Sequence, residues 1–168
     1  MKFFTVEWAK SELSDEECER RPDEYQAHLA SLKGKLSSSL HYLAHKINLH
    51  DGLIQSIVAD SASRELFLEL VCGDLSVGYS DIKLHYCGVE WSVVDWQLLK
   101  DLANNPKSEA LYDEVHLAPG STFEHRILFW PYSSITIQFS EASVCSTPRT
   151  DPSDRSLQPL ENRFSSKP

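Results

Sequence analysis

Between Tyr25 and Ile47 the apolar residues fall at Tyr25, Leu29, Leu32, Leu36, Leu40, Leu43 and Ile47. These steps of three and four residues make one stripe at the helical period. Pro22 suits a first helical position, where its missing N–H costs nothing. The stripe therefore predicts one continuous amphipathic helix of about 25 residues from Pro22 onward. Gly34, in its middle, weakens it by about 1 kcal/mol relative to alanine. Upstream, Lys2 to Val6 reads as a short aromatic-rich strand. Ser14-Asp-Glu-Glu17 is a capping box opening a short acidic helix that stops before Pro22.

From Gly52 the period changes to two. Residues 53–58, 64–72 and 77–87 predict three strands, the third continuing over Val89 to Val93 after a bulge at Gly88. Asp95 caps a short helix that buries Leu98, Leu99 and Leu102 and ends at Asn104-Asn-Pro106. Two alternating segments then flank Ala118-Pro119-Gly120-Ser121, the pattern of a β-hairpin, and 134–139 alternates once more. Short links between successive strands favour antiparallel pairing. The fold class is α+β: a long N-terminal helix on one face of an antiparallel, meander-like sheet, with one short helix near 95–104. Residues 1–145 form a single domain. Residues 146–168, rich in Pro, Ser, Asp and Arg, form a disordered tail.

The hairpin carries the most suggestive chemistry. Leu111, Asp113, Val115 and Leu117 share one strand face, and Phe123, His125, Ile127 and Phe129 share another. Each apolar face holds one polar residue. If 117 pairs with 121, Asp113 sits directly opposite His125, and burial of either requires such a partner. A carboxylate holding an imidazole in one tautomer is also an acid–base device, so Asp113 and His125 are the candidate catalytic pair. No Gly-x-Ser-x-Gly nucleophile elbow accompanies them. On the opposite face Tyr112, Glu114, His116, Glu124, Arg126 and Trp130 form a candidate contact surface, with Trp130 as its anchor. A solvent-exposed cross-strand charge cluster is the plain reading of the charged residues, and coverage of Trp130 by the long helix or the N-terminal strand is the alternative to an anchor.

Other chemistry is sparser. His41 and His45 lie one helical turn apart, and His45, His50 and Asp51 are candidate metal ligands, although the His-Glu-x-x-His pattern is absent. His50-Asp51-Gly52 equally suits a helix-to-strand turn. Cys18, Cys72, Cys87 and Cys145 include no C-x-x-C pair, and Cys72 fits a buried thiol. There is no phosphate loop or dinucleotide fingerprint, and no cofactor is expected.

The chain has 168 residues, 41% of them hydrophobic, which is enough for one core. It lacks the run of about 18 apolar residues that a membrane span needs. Its start has no secretory h-region, so a cytoplasmic protein is expected. The net charge is −9, and the tail from Thr147, with four basic and three acidic groups, contributes +1, leaving −10 on the rest. That balance argues against nucleic acid and anionic membranes, and leaves a basic protein as the compatible partner. Nothing specifies the oligomeric state.

Met1-Lys-Phe-Phe-Thr-Val-Glu-Trp8, Asn48-Leu-His-Asp-Gly-Leu-Ile54, Gly78-Tyr-Ser-Asp81, Leu111-Tyr-Asp-Glu-Val115 and Phe123-Glu-His-Arg-Ile-Leu-Phe-Trp-Pro131 are distinctive phrases. With them, residues 1 to about 141 resemble a family of small bacterial proteins of unknown function that begin with a Met-Lys-Tyr-Phe-Thr-like segment. The resemblance implies a bacterial, cytosolic, single-domain protein. It transfers no activity and no site. The expectation is a non-enzymatic protein-binding module, comparable in general character with immunity proteins that neutralise toxins. The alternative is a small enzyme or metal-dependent hydrolase using the Asp113–His125 pair.

Overall fold

The leucine stripe forms two helices, not one. The computed structural model describes residues 1–120, 122–157, 159 and 164–167. Helix α1 spans Val6–Ala9, α2 Asp15–Ser31 and α3 Ser38–Lys46. The break is local chemistry. Gly34 has φ +79°, a left-handed conformation that closes helices and costs glycine no Cβ clash. Ser37 then starts a new helix by accepting the Leu40 amide on its hydroxyl. Ser14 caps α2 in the same way through Glu17. That helix does not stop at Pro22 but carries it inside, at the cost of one backbone bond. The expected strand at Lys2 to Val6 is absent: these residues bend into α1, which Thr5 caps.

The sheet strands are β1 (Gly52–Asp60), β2 (Glu65–Asp74), β3 (Gly78–Cys87), β4 (Glu109–Leu117), β5 (Phe123–Trp130), β6 (Ser133–Phe139), β7 (Glu141–Pro148) and β8 (Phe164–Lys167). Helix α4 (Trp96–Asn104), capped by Asp95, separates β3 from β4. Val89 to Val93 does not extend β3: Val89 and Glu90 are irregular and residues 91–93 form a turn. The strand order is β6-β5-β4-β1-β2-β3-β7, with β8 alongside β1. Pairing is antiparallel except between β1 and β8, which run parallel.

The two outermost strands of that order, β6 and β7, are consecutive in the chain and separated only by Ser140. Two peptide steps reach about 7 Å at most, so the sheet must curl until its ends meet. Ser140 donates its amide to the Cys87 carbonyl at 3.0 Å, and Glu90 donates to that of Gln138 at 2.9 Å. Gly88 makes room at this corner, since a Cβ there would lie 2.1 Å from the Ser140 hydroxyl.

The curl encloses one large core. Leu66, Leu68 and Leu70 of β2 meet Ile82, Leu84 and Tyr86 of β3 and Ile135, Ile137 and Phe139 of β6. Helix α3 adds Leu40 and Leu43, and α4 adds Leu99, Leu102 and Ala103. Helix α2 serves a different, smaller cluster in which Tyr25 and Leu29 pack with Phe3. The stripe predicted as one helix face is thus shared between two cores.

The tail expected from Ser146 begins inside β7. Beyond it, Arg149 donates to Asp81 at 2.9 Å and to the carbonyls of Asp154 and Ser156. The rest of that stretch includes residues 158, 160–163 and 168, outside the described residues. No helix among the described residues is long and apolar enough to cross a membrane.

Candidate functional site

Asp113 and His125 do meet, by a different register from the one expected. Leu117 pairs with Phe123 around a five-residue loop, so Val115 faces His125 and Asp113 faces Ile127. The slip of two keeps every side chain on its face and leaves Asp113 diagonal to His125. A bulge between Ala110 and Tyr112 puts Ala110, rather than Leu111, into the core beside Phe129.

His125 is fully buried and uses both ring nitrogens. Nε2 lies 3.0 Å from Asp113 Oδ2, and Nδ1 lies 2.7 Å from the Tyr86 hydroxyl. A neutral imidazole protonated on Nε2 satisfies the whole chain: Tyr86 donates to Nδ1, and Nε2–H donates to the carboxylate. Burial, then the Asp113 charge, pushes the Tyr86 hydroxyl well above its ordinary pKa, so it remains a donor. Only Asp113, its side chain 18% exposed, reaches solvent. It does so at a cleft of about 380 Å³ lined also by Tyr25, Asn48, His50 and Tyr112.

The opposite face of the hairpin is largely covered. The Glu114 side chain is fully buried. Its carboxylate accepts the backbone amides of Lys2, Phe3 and Phe4 at 2.7–3.0 Å, and His116 Nε2 at 2.8 Å. Burial alone would raise its pKa, but His116 and the three amides outweigh that and hold it at about 2. The carboxylate is a clasp for the N-terminus, and Phe3 stacks against His116 with ring centroids 6.1 Å apart. Glu124 is buried with Arg126 and Gln138 as partners. Burial therefore withdraws Glu114, His116 and Glu124 from the expected contact surface. Tyr112 is half-covered by Phe4 and Trp8, whereas Trp130 stays 42% exposed beside Tyr132.

β4 pairs with β1 only at Glu109 and Ala110, and beyond them side chains cap that edge of β4. Tyr25 accepts the Val115 amide, His28 Nε2 donates to the Val115 carbonyl at 3.2 Å, and His50 Nδ1 donates to that of Leu111 at 2.6 Å. Burial, with His116 nearby, lowers the His28 pKa. This capping assigns His50 a structural bond, as blocking an unpaired edge requires. The His45 and His41 rings lie side by side with centroids 4.3 Å apart and planes tilted by 38°. His50 Nε2 lies 3.5 Å from Asp51 Oδ1, but His45 does not join them: among the described residues the one trio of donor atoms within 4.8 Å of one another is Glu65, His85 and Cys87.

The remaining surface feature is charge. Residues 7–24, the α1–α2 unit, hold eight carboxylates against three basic groups, a net −5 of the chain's −9. Lys10, Arg20 and Arg21 pair with Glu12, Glu17 and Glu24. Glu7, Asp15, Glu16, Glu19 and Asp23 are exposed. The whole-chain charge did not locate this face, although a windowed count along the sequence would have.

Sequence reasoning also missed three contacts of these groups. Tyr86 was legible as an inward residue of β3, but its partner was not. The amides on Glu114 carry no side-chain signal at all. Glu65, His85 and Cys87 come together only through the β2–β3 register. Comparison with protein-family models, curated proteins and solved structures finds no match to this chain.

Proposed function

We propose that this protein is a non-enzymatic binding module whose acidic α1–α2 face receives a basic protein partner, in the general manner of an immunity protein. The observation that carries the reading is the concentration of net −5 on eighteen residues at the surface. A patch of one sign speeds encounter with a partner of the other, and the effect weakens as salt shortens the screening length below about 10 Å. The sealed imidazole supports the same reading. With both nitrogens of His125 occupied in the core, it offers no free group to a substrate. Bacterial origin, membership of the family with the Met-Lys-Tyr-Phe-Thr-like start, and a cytoplasmic location belong to the same proposal.

The competing enzyme reading retains one observation, the opening of Asp113 to the cleft beside His50 and Tyr112. The test is affinity capture at low and high salt with the wild type and with the Glu16→Lys/Glu19→Lys/Asp23→Lys variant. A basic protein held by the wild type at low salt, released by salt and not held by the variant supports the binding reading. Retention of nothing at low salt, or of the same proteins by both, overturns it.

A further inference from the structure

The outer faces of β2, β3 and β7 form an open strip, with Phe67, Lys83, His85, Ser143 and Cys145 at least partly exposed. Within it, Glu65 on β2 stands directly across from Cys87 on β3, and Phe67 stands across from His85. His85 and Cys87, two residues apart on one strand, share a face. We propose that Glu65, His85 and Cys87 form a binding site for a divalent cation of the zinc class, with a fourth coordination position open to solvent. The site is independent of the acidic face and of the partner reading.

Distance carries the argument. A tetrahedral zinc ion with N and O ligands at about 2.0–2.1 Å and S at about 2.3 Å sets its ligands about 3.3 Å (N to O) and about 3.6 Å (to S) apart. Here His85 Nε2 lies 3.1 Å from Glu65 Oε1 and 3.4 Å from Cys87 Sγ, and Sγ lies 4.0 Å from Oε1. The triangle of donors is thus already the size of one face of that tetrahedron. Closing its longest edge needs a shift of about 0.4 Å, well within the play of a half-exposed glutamate.

The supports of the three groups favour the same use. The Phe67 ring stacks on the His85 imidazole at 4.1 Å and 9°, which fixes the direction of Nε2. Ser63 donates its hydroxyl to Glu65 Oε2 at 2.9 Å, which leaves Oε1 facing the other two donors. Outer partners of this kind orient metal ligands. A thiolate with an imidazole selects zinc-class ions over magnesium or calcium, which prefer all-oxygen sites. Three protein ligands and one vacant position is the composition of zinc sites that present a water or a substrate.

Binding is a simple exchange of protons. The Cys87 thiol releases its proton to solvent as sulfur bonds the ion. The imidazole proton moves from Nε2 to Nδ1, freeing the Nε2 lone pair. Thiolate and carboxylate together neutralise the dipositive ion.

The experiment is titration of the reduced full chain with cobalt(II), followed by its absorption spectrum and by displacement with zinc. One equivalent per chain, a thiolate-to-cobalt charge-transfer band and bleaching by zinc are expected. Cys87→Ser should abolish the band, and His85→Ala should weaken uptake more than tenfold. Both the Cys18→Ser/Cys145→Ser and the His41→Ala/His45→Ala variants should keep it. Far-ultraviolet circular dichroism checks that each variant is folded, and Glu65→Gln provides a second ligand variant should Cys87→Ser fail that check. Absence of the band in the wild type, its persistence in Cys87→Ser, or its loss in either control pair overturns the proposal.

Discussion

Glu114 and Glu65 make the same contact and live in opposite surroundings. Each sets a carboxylate oxygen close to an imidazole Nε2, at 2.8 Å to His116 and 3.1 Å to His85. Glu114 is fully buried, and backbone amides occupy the rest of its oxygens. Glu65 is 34% exposed, and a thiol stands beside it. The difference teaches what decides whether an acid–imidazole pair is structural. Where main-chain donors fill the lone pairs, the pair belongs to the fold. Where solvent and a soft donor fill the remaining sphere, the pair is open to a ligand.

The sharpest way to break that comparison is to remove both carboxylates in turn. Glu114→Ala strands three amides and an imidazole, and should lower unfolding free energy by about 4 kcal/mol in urea titrations. Equal losses at 114 and 65 would erase the distinction. Acid sharpens it further. Glu114 titrates at about 2 when folded, against 4.5 as its ordinary value. Its contribution of about 3 kcal/mol is therefore present above pH ~4.5 and drains away as pH falls toward ~2. Chemical denaturation across that window should slope more steeply for the wild type than for Glu114→Gln.

Tyr86→Phe removes the donor to His125 Nδ1 without disturbing the shape of the core. A loss of about 2 kcal/mol is expected, and an unchanged midpoint would mean that His125 finds another partner. Ser37→Ala should cost about 1 kcal/mol through the α3 cap alone, as read from thermal melts. Smallest of all, Glu65→Gln should stay within about 0.5 kcal/mol of the wild type in the absence of metal, because its neighbours are wet.

Alternation made the sheet legible. β1 to β3 and β6 follow it most clearly, because one face of each is apolar where the sheet encloses a core, whereas β4 and β5 bury residues on both faces. The helix stripe was legible as a face but not as one rod. Periodicity cannot register that Gly34 turns left-handed while Ser37 offers a fresh cap, and the Pro22 ring sits inside a helix that packing tolerates. β7 was missed because its inward residues include a modest Ala142, and its outward ones, Glu141, Ser143 and Cys145, resemble loop composition. Asp113 against His125 survived a register error because a slip of two preserves faces. The groups that define Glu114 and Glu65 were not legible, since main-chain donors and cross-strand partners leave no trace in local spacing.

The one-residue corner at Ser140 also bears on the route by which the chain reaches this shape. β7 pairs with β3 through contacts such as Cys87 with Glu141 and Ser80 with Pro148, separations of 54 and 68 residues. The ribbons β1–β2–β3 and β4–β5–β6 each close through short turns, whereas joining them through β7 bears the entropy of a long loop. The β1–β4 pairing, Gly52 with Ala110, spans a comparable 58 residues, so the two long-range seams are expected to form after the ribbons themselves. Substitutions along β7 should hasten unfolding while leaving the refolding rate nearly unchanged, and stopped-flow rates for β7 variants check this.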